Sequence, residues 1–401
     1  MKDFLKNNKG LSFYLVSSFF SSMASKIYMF AIPWLIYEIT ESSTWMGMVF
    51  LLQLLPSLIV SPFVGTIVDI IDRKIIIFLS NFLQGILLLV ITTFILLDYI
   101  NLTLILIICI VLSIFSCFSF VSEETIIPQA TEHKYLVSAN TFYQFLDTIA
   151  VLSGPALAGV VITLVGIGPA LLVGVFCFVP VLISIFLLEV KYKHEQGNED
   201  EKIIRNIVNG FKYVRGSKIL LIIMSFAFIA NIAHGSIDAM FIYFARDHLQ
   251  LGAFYVGLIF TLSGIAQFIF GLITPIISKK LSHVKALLST GLISGLGILI
   301  MSFFSVWPLV GLGRALQEGP IITSNILNKT LRQSIVPNNL LGRVNSINNT
   351  ISMISYPLAG FLSGIFTDLL SITFVFKVSA FILISSTLFI WFISFKKTLN
   401  R

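Results

Sequence analysis

Several ionisable side chains lie inside long apolar stretches of this 401-residue sequence. Lys26 lies in the first stretch, His234 and Asp238 lie in the seventh, and Arg314 and Glu318 stand four residues apart in the tenth. An ionised group is costly to bury in an apolar medium, so each of these residues is a functional candidate. Their chemistry would be ion pairing and proton transfer, because the protonation of a carboxylate responds to its surroundings.

A structural role is the alternative for these residues. Arg314 and Glu318 share one helix face and could be a pair neutralised for packing, and Lys26 could extend its ammonium group toward the membrane surface. His234 could carry a proton or simply pack. Asp147, in the fifth stretch, could be a second proton site or an ordinary lining residue. Two neutral polar residues accompany the charged ones on the same helices: Asn231 and Gln317.

The sequence contains no recognisable enzyme constellation. No second histidine or cysteine stands at helical spacing from His234, and the three cysteines all lie in apolar stretches. We therefore expect no metal site and no disulfide framework. Neither a phosphate-binding P-loop nor a G-x-S-x-G elbow is present. These observations predict a protein that is not an enzyme, needs no cofactor and is not driven by ATP.

The composition indicates a helical membrane protein. Apolar residues make up 57% of the chain and charged residues 11%, whereas about 25% of a soluble domain is charged. The apolar runs are long enough to cross a bilayer as helices. Twelve spans are predicted, at 11–39, 45–68, 75–97, 102–127, 139–164, 167–188, 219–244, 253–277, 284–305, 308–332, 344–368 and 372–395.

The basic residues indicate the orientation of these spans. All but four of the 26 Lys and Arg residues fall on one side, in the termini and the loops that share their side. The exceptions are Arg246 on the opposite side and Lys26, Arg314 and Lys377 within spans. Because cytoplasmic loops are enriched in Lys and Arg, both termini are predicted to be cytoplasmic. The net charge of +7 therefore reflects topology, and no nucleic-acid partner is expected.

One charged linker divides the chain into two similar halves. We predict a six-helix bundle over 1–188, a cytoplasmic linker with a basic amphipathic helix over 189–218, and a second bundle over 219–401. The halves share a pattern at an offset of 206: Gly65-x3-Asp69-x3-Arg73-Lys74 matches Gly271-x3-Pro275-x3-Lys279-Lys280. Parallel six-span repeats of this kind occur in membrane transporters.

The loop between the second and third spans resembles the signature loop of the major facilitator superfamily, G-x-x-x-D-x-x-x-R-K/R. The resemblance implies a gating latch in which Asp69 and Arg73 hold the cytoplasmic side closed, with Lys74 beside them. Gly65 is predicted to let two helices approach closely, because it has no side chain. Asp72 stands where the family usually has a glycine, which predicts a stiffer loop.

The resemblance extends to the fourth and fifth spans. An acid near the cytoplasmic end of the fourth span completes the latch in this superfamily, which implies gating roles for Glu123 and Glu124. The segment 154–159 is similar to the antiporter motif G-P-x-x-G-G of drug exporters, through Gly154, Pro155 and Gly159. The segments 31–37, 333–337 and 341–346 resemble those of macrolide-efflux-type exporters.

The resemblance implies an all-α membrane fold of twelve helices in two pseudo-symmetric bundles, the major facilitator fold. It implies a monomeric exporter of amphiphilic small molecules (a macrolide-like drug, a peptide product or a siderophore) in a bacterial cell membrane. Export would exchange substrate for protons by alternating access. Two alternatives stay open: a lipid or lysolipid flippase, and a membrane sensor or embedded enzyme without flux. The fourth span lacks the arginine that many proton-coupled relatives carry.

Overall fold

The structure, a computed structural model, describes residues 7–190 and 211–399. This part of the chain contains twelve long helices and no strand, which confirms the predicted all-α class. The helices are α1 Lys9–Thr40, α2 Ser43–Ile70, α3 Arg73–Leu96, α4 Leu102–Ala130, α5 Leu136–Val165, α6 Ile167–Leu187, α7 Lys218–Tyr243, α8 Ala253–Lys280, α9 His283–Phe303, α10 Trp307–Ile335, α11 Asn338–Leu369 and α12 Ile372–Leu399.

Several helices begin where a side chain caps them. The Asp72 carboxylate accepts a hydrogen bond from the Lys74 backbone N–H at 2.8 Å, and the Asn101 side chain accepts one from the Leu104 backbone N–H at 3.1 Å. Such caps satisfy N–H groups that have no partner within the helix. Asp72 therefore starts α3, which gives a physical reason for an acid where a glycine is usual.

Ten of the twelve helices are long and apolar enough to cross a membrane by length and composition. The two that fall outside this set are α10 and α11. In α10 several of the polar residues are buried: Arg314, Gln317, Thr323, Asn328 and Arg332. These residues reduce the hydropathy of the helix but face protein, where partners can satisfy them.

The chain divides into two compact units. The first comprises Met1–Thr40, Leu52–Gly197 and Gly252–Leu258, and the second comprises Glu41–Leu51, Asn198–Leu251 and Ile259–Arg401. The start of α2 therefore belongs to the second unit and the start of α8 to the first. Most of the predicted linker, 191–210, lies outside the described residues, although residues 211–216 are helical. The predicted domain boundaries stay a prediction.

Glycines bring helices close together within each unit. A Cβ at Gly154 would meet the Cβ of Lys26, and one at Gly159 would meet the carbonyl oxygen of Ala253, both within the first unit. In the second unit, a Cβ at Gly235 would meet the Tyr356 carbonyl. Small residues permit such close packing of membrane helices. The close approach of α7 to α11 places Tyr356 beside the polar side chains of α7.

Candidate functional site

The second unit contains a buried cluster of three charged side chains. Arg314 of α10 contacts Asp238 of α7, with 2.5 Å between Nη1 and Oδ1, and Glu318 one turn further along α10, with 3.3 Å between Nη2 and Oε1. The exposed fraction is 3% for Arg314 and 13% for each acid. The structure therefore brings together three of the charged residues predicted from sequence, around a single guanidinium.

Two neutral residues hold the acids of this cluster. The Tyr356 hydroxyl of α11 donates a hydrogen bond to Asp238 Oδ2, and the Gln267 amide of α8 donates one to Glu318 Oε2 at 2.9 Å. Sequence reasoning missed both residues. Tyr356 directly precedes residues 357–360, whose sequence Pro-Leu-Ala-Gly echoes Pro-Ala-Leu-Ala-Gly at 155–159, and this position was the available signal. Gln267 is an uncharged amide in an apolar helix, which is a weaker signal.

Gln317 links the charged cluster to His234. Its amide oxygen accepts a hydrogen bond from Arg314 Nη1 at 2.8 Å, so its amide nitrogen is the group that lies 2.7 Å from His234 Nδ1. An amide nitrogen only donates, and Nδ1 therefore accepts, as in a neutral imidazole protonated on Nε2.

Asn231 does not contact the charged cluster through its amide nitrogen. That nitrogen donates a hydrogen bond to the Ser352 carbonyl at 2.6 Å and joins α7 to α11.

Aromatic rings and close helix packing position Arg314. Its guanidinium carbon lies 4.7 Å from the centre of the Phe241 ring and 5.5 Å from that of Phe260. A guanidinium is attracted to an aromatic face, most strongly where water is excluded. The preceding residue, Gly313, lies so close to α9 that a Cβ would meet the Gly297 carbonyl oxygen. The cation is therefore held between rings and acids by a tightly packed backbone.

The charge balance of the cluster gives it its chemistry. Two ionised carboxylates and one guanidinium sum to one negative charge, and an uncompensated buried charge is strongly unfavourable. One proton on either acid makes Asp238, Arg314 and Glu318 neutral together. The arrangement can therefore bind and release a single proton, and its charge changes with each step.

Two further predicted site residues belong to the first unit. The stem of Lys26 on α1 packs against Gly154 of α5. Asp147, also on α5, accepts a hydrogen bond from Ser22 of α1, with 3.0 Å between its Oδ1 and the serine oxygen. Both residues thus lie along the contact between α1 and α5. Pro155 follows Gly154 in the same helix.

The structure describes two basic residues of the predicted latch, Arg73 and Lys74. Arg73 is 6% exposed and donates a hydrogen bond to the Thr125 carbonyl of α4 at 3.3 Å, and Lys74 donates one to the Leu188 carbonyl at 2.8 Å. The side chain of Asp69 lies outside the described residues. No described atom lies within 4 Å of a Cβ built at Gly65, and the close-approach role of this residue stays a prediction.

The two acids at the end of α4 point in different directions. Glu123 is buried, and its carboxylate accepts hydrogen bonds from the hydroxyls of Ser119 at 3.0 Å and Tyr143 at 3.4 Å. Glu124 is exposed. Successive residues on a helix are about 100° apart, which separates the two side chains. Their gating roles stay a prediction.

Comparison with known proteins finds efflux pumps of similar sequence and a transporter of similar fold. The chain is 23% identical over 352 residues to the multidrug efflux pump Tap of Mycolicibacterium fortuitum, covering 84% of each protein. It is 21% identical over 390 residues to macrolide efflux protein A of Streptococcus pyogenes, covering 94% of this chain and 95% of that one. A crystal structure of the nucleoside transporter NupG matches with a TM-score of 0.77 at 13% identity, covering 94% of this chain and 97% of that one.

A family model establishes the wider relationship. The model described as Major Facilitator Superfamily matches residues 14–313 and 228–399, which together span nearly the whole chain. It agrees with the twelve long helices and with the efflux pumps among the relatives. The resemblance predicted from the loop between α2 and α3 is confirmed. The chain belongs to the Major Facilitator Superfamily and is a multi-pass membrane transporter, not an enzyme.

Proposed function

We propose that this protein exports amphiphilic small molecules of the macrolide type in exchange for protons. The export of drugs is inferred from the multidrug and macrolide efflux pumps to which the chain is similar. Proton exchange rests on one observation, the sharing of the Arg314 guanidinium by Asp238 and Glu318 in a buried site. The energy source is then a proton gradient acting on that site.

Glu318 is the proton carrier in this proposal. Asp238 has the shorter contact with Arg314 and also accepts a hydrogen bond from Tyr356, and both interactions favour its ionised form. Glu318 lies 3.3 Å from the guanidinium and accepts from the neutral Gln267. His234 is neutral in this arrangement and reaches the cluster through Gln317. The proton is therefore held more readily on Glu318 than on Asp238.

Proton release would change the forces on Arg314. With Glu318 protonated, Arg314 and Asp238 form a neutral pair, whereas deprotonation adds a second anion that competes for the guanidinium. A change in the partner of a buried charge can bias a protein between two conformations. In the proposed alternating-access cycle, Asp69 and Arg73 latch the cytoplasmic side with Glu123 and Glu124. The protein acts as a monomer with cytoplasmic termini in the cell membrane.

The test is proton-driven transport of tritiated erythromycin in proteoliposomes. Glu318→Gln keeps the size of the side chain but cannot lose a proton, so we expect transport driven by a pH gradient to fall by about a hundredfold or more, the contribution typical of a proton-transfer residue. The matched control is Glu41→Gln, at an exposed glutamate of the same unit. Undiminished gradient-driven transport by Glu318→Gln would overturn the assignment. Wild-type flux that ignores the gradient would favour a passive flippase.

A further inference from the structure

One carboxylate at the end of α11 holds the start of α2. Asp368 Oδ1 accepts hydrogen bonds from the Ser43 backbone N–H at 3.2 Å and from the Ser43 hydroxyl at 2.5 Å. Its Oδ2 accepts from the Thr44 backbone N–H at 3.1 Å, the Thr44 hydroxyl at 2.6 Å and the Ser42 hydroxyl at 3.2 Å. In the predicted topology these helix ends lie on the extracellular side. We call the four residues the outer clasp.

The start of α2 is capped by a residue from a distant part of the chain. The first N–H groups of a helix have no partner within it, and the helix dipole favours an anion there. The Asp72 cap of α3 is local, whereas Asp368 is 325 residues from Ser43 in the sequence. Ser42 directly precedes α2 and is of a residue type that caps helices. Release of Asp368, which is exposed, is therefore compensated by Ser42 on α2 and by water at the carboxylate.

Below the clasp, α2 packs against α11 in the direction of the charged cluster. A Cβ at Gly47 of α2 would meet the carbonyl oxygen of Gly360 on α11, so the two backbones are close. Three residues further along α2, the centre of the Phe50 ring lies 5.3 Å from that of Tyr356. Tyr356 is the residue that donates a hydrogen bond to Asp238. The start of α2 therefore covers the tyrosine that holds one acid of the cluster.

The boundary between the two compact units falls within α2. Glu41–Leu51 belongs to the second unit, whereas Leu52–Gly197 belongs to the first. A motion of one unit against the other therefore either bends α2 or releases its start from α11. Pro56 lies just beyond the boundary and provides a place for a bend. A bend would keep Tyr356 covered in every state, whereas release would uncover it.

We propose that the outer clasp opens during transport and that Asp368 is the positioning residue for this step. While Asp368 holds α2, Phe50 covers Tyr356 and the charged cluster is closed to the outer solution. When Asp368 releases α2, the cluster gains access to that solution, from which it takes its proton. The inference rests on the proposed proton exchange and adds the residue that controls access from outside.

The first test locks the clasp. Thr44→Cys and Asp368→Cys are combined in a full-length protein whose three native cysteines are replaced by alanine, and a short bis-methanethiosulfonate reagent joins the two thiols. We expect erythromycin transport in proteoliposomes to be lost in proportion to the fraction of protein crosslinked, and to return when dithiothreitol cleaves the link. Transport that is unchanged by the crosslink would overturn the proposal, because α2 would then bend while its start stays on α11.

The matched control joins two helices that stay together in this proposal. Phe303 on α9 and Lys377 on α12 are both exposed and belong to the second unit, and the Lys377 ammonium lies 4.9 Å from the centre of the Phe303 ring. Phe303→Cys with Lys377→Cys should transport equally well with and without the crosslink. An equal loss in both pairs would assign the effect to stiffening of the unit and count against the clasp.

The second test does not depend on transport. Phe50→Cys places a thiol below the clasp, and its rate of reaction with a membrane-impermeant maleimide outside the cell measures opening. Asp368→Asn removes the charge that holds α2, so this rate should rise about tenfold, the factor that corresponds to one hydrogen bond to a charged group. The control is Asp98→Asn, at an exposed acid that follows α3, which should leave the rate unchanged.

The labelling result separates the clasp from the export function. Faster labelling in Asp368→Asn, in a protein whose wild type moves no erythromycin, would support the clasp and overturn export. An unchanged labelling rate in Asp368→Asn, or the same rise in Asp98→Asn, would overturn the clasp even where export is intact.

Discussion

Each unit buries carboxyl groups, but the partners of these groups are charged in the second unit and neutral in the first. In the second unit, Asp238 and Glu318 both contact the Arg314 guanidinium. In the first unit, the described hydrogen-bond partners of Glu123 are two neutral hydroxyls, from Ser119 and Tyr143. All three acids are largely buried, since Glu123 is 4% exposed and the side chains of Asp238 and Glu318 are 13% exposed. The difference therefore lies in the partners.

This difference separates two uses of a buried acid. A carboxyl group surrounded by hydroxyls can remain neutral and serve as an ordinary hydrogen-bonding group. Two carboxyl groups around one guanidinium cannot both ionise without leaving an excess charge, and they cannot both be neutral without leaving the cation unpaired. Such a trio changes its net charge with one proton. Burial alone is thus a weak criterion for a proton site, and the count of charges is a better one.

Removing the shared cation should have the largest effect. Arg314→Met leaves two buried acids without a countercharge, and loss of one partner of a buried ion pair costs about 3–5 kcal/mol of folding free energy. We expect a large drop in the Tm of the purified protein and loss of erythromycin transport. Thermal unfolding followed by tryptophan fluorescence measures the first, and proteoliposome uptake measures the second.

The matched control for this prediction lies on the same helix. Arg332 is also buried in α10, but its guanidinium donates to the neutral Asn328 amide oxygen at 3.4 Å. Among the described contacts, Arg332→Met leaves no buried acid without a partner, so its Tm should fall less. A double variant, Arg314→Met with Glu318→Met, should recover part of the Tm that the single variant loses. Equal losses of Tm in Arg314→Met and Arg332→Met would show that the unpaired acids do not add to the loss of stability.

Tyr356→Phe should have an intermediate effect and a defined sign. The hydroxyl donates to Asp238 and stabilises its ionised form, so its removal makes the cluster hold the shared proton more tightly. A hydrogen bond to a charged group contributes about 1.5–3 kcal/mol, which corresponds to roughly one to two pH units. The pH of half-maximal transport should therefore rise by that amount.

The control for this variant is Tyr213→Phe, in which the lost hydroxyl donated to the Ile335 backbone carbonyl at 3.2 Å. It should leave the pH profile of transport in place, because no charged group loses a donor. A downward shift in Tyr356→Phe, or the same shift in both variants, would contradict the role of Tyr356 as a positioning residue for Asp238.

The main features of the fold were accessible from the sequence because they depend on local patterns. No helix begins or ends more than six residues from its predicted span. The Arg314–Glu318 contact follows from a spacing of four on one helix. Asp238 was detectable because an acid in an apolar stretch is exceptional. In each case the evidence lies within one segment of the chain.

The missed features depend on contacts between distant segments. Tyr356 is 118 residues from Asp238, and Gln267 is 51 residues from Glu318. Both are neutral, and a neutral side chain in an apolar helix does not indicate a functional site as a charged one does. The close packing that a motif predicts for Gly65 stays a prediction, since no described atom lies within 4 Å of a Cβ built there. Sequence alone does not give the neighbours of a helix face.

Glu123→Gln should have the smallest effect and tests the comparison directly. The Ser119 and Tyr143 hydroxyls donate to different oxygens of Glu123, at 3.0 Å and 3.4 Å. Glutamine keeps a carbonyl oxygen for the Ser119 hydroxyl and loses only the longer bond from Tyr143, so the stability loss should be about 1 kcal/mol. The decisive measurement is the ratio of erythromycin transport with and without a pH gradient. That ratio should match wild type in Glu123→Gln and collapse in Glu318→Gln. A lower rate with an unchanged ratio would assign Glu123 to the latch, whereas a collapsed ratio would place a coupling proton in the first unit and remove the distinction drawn from the charge count.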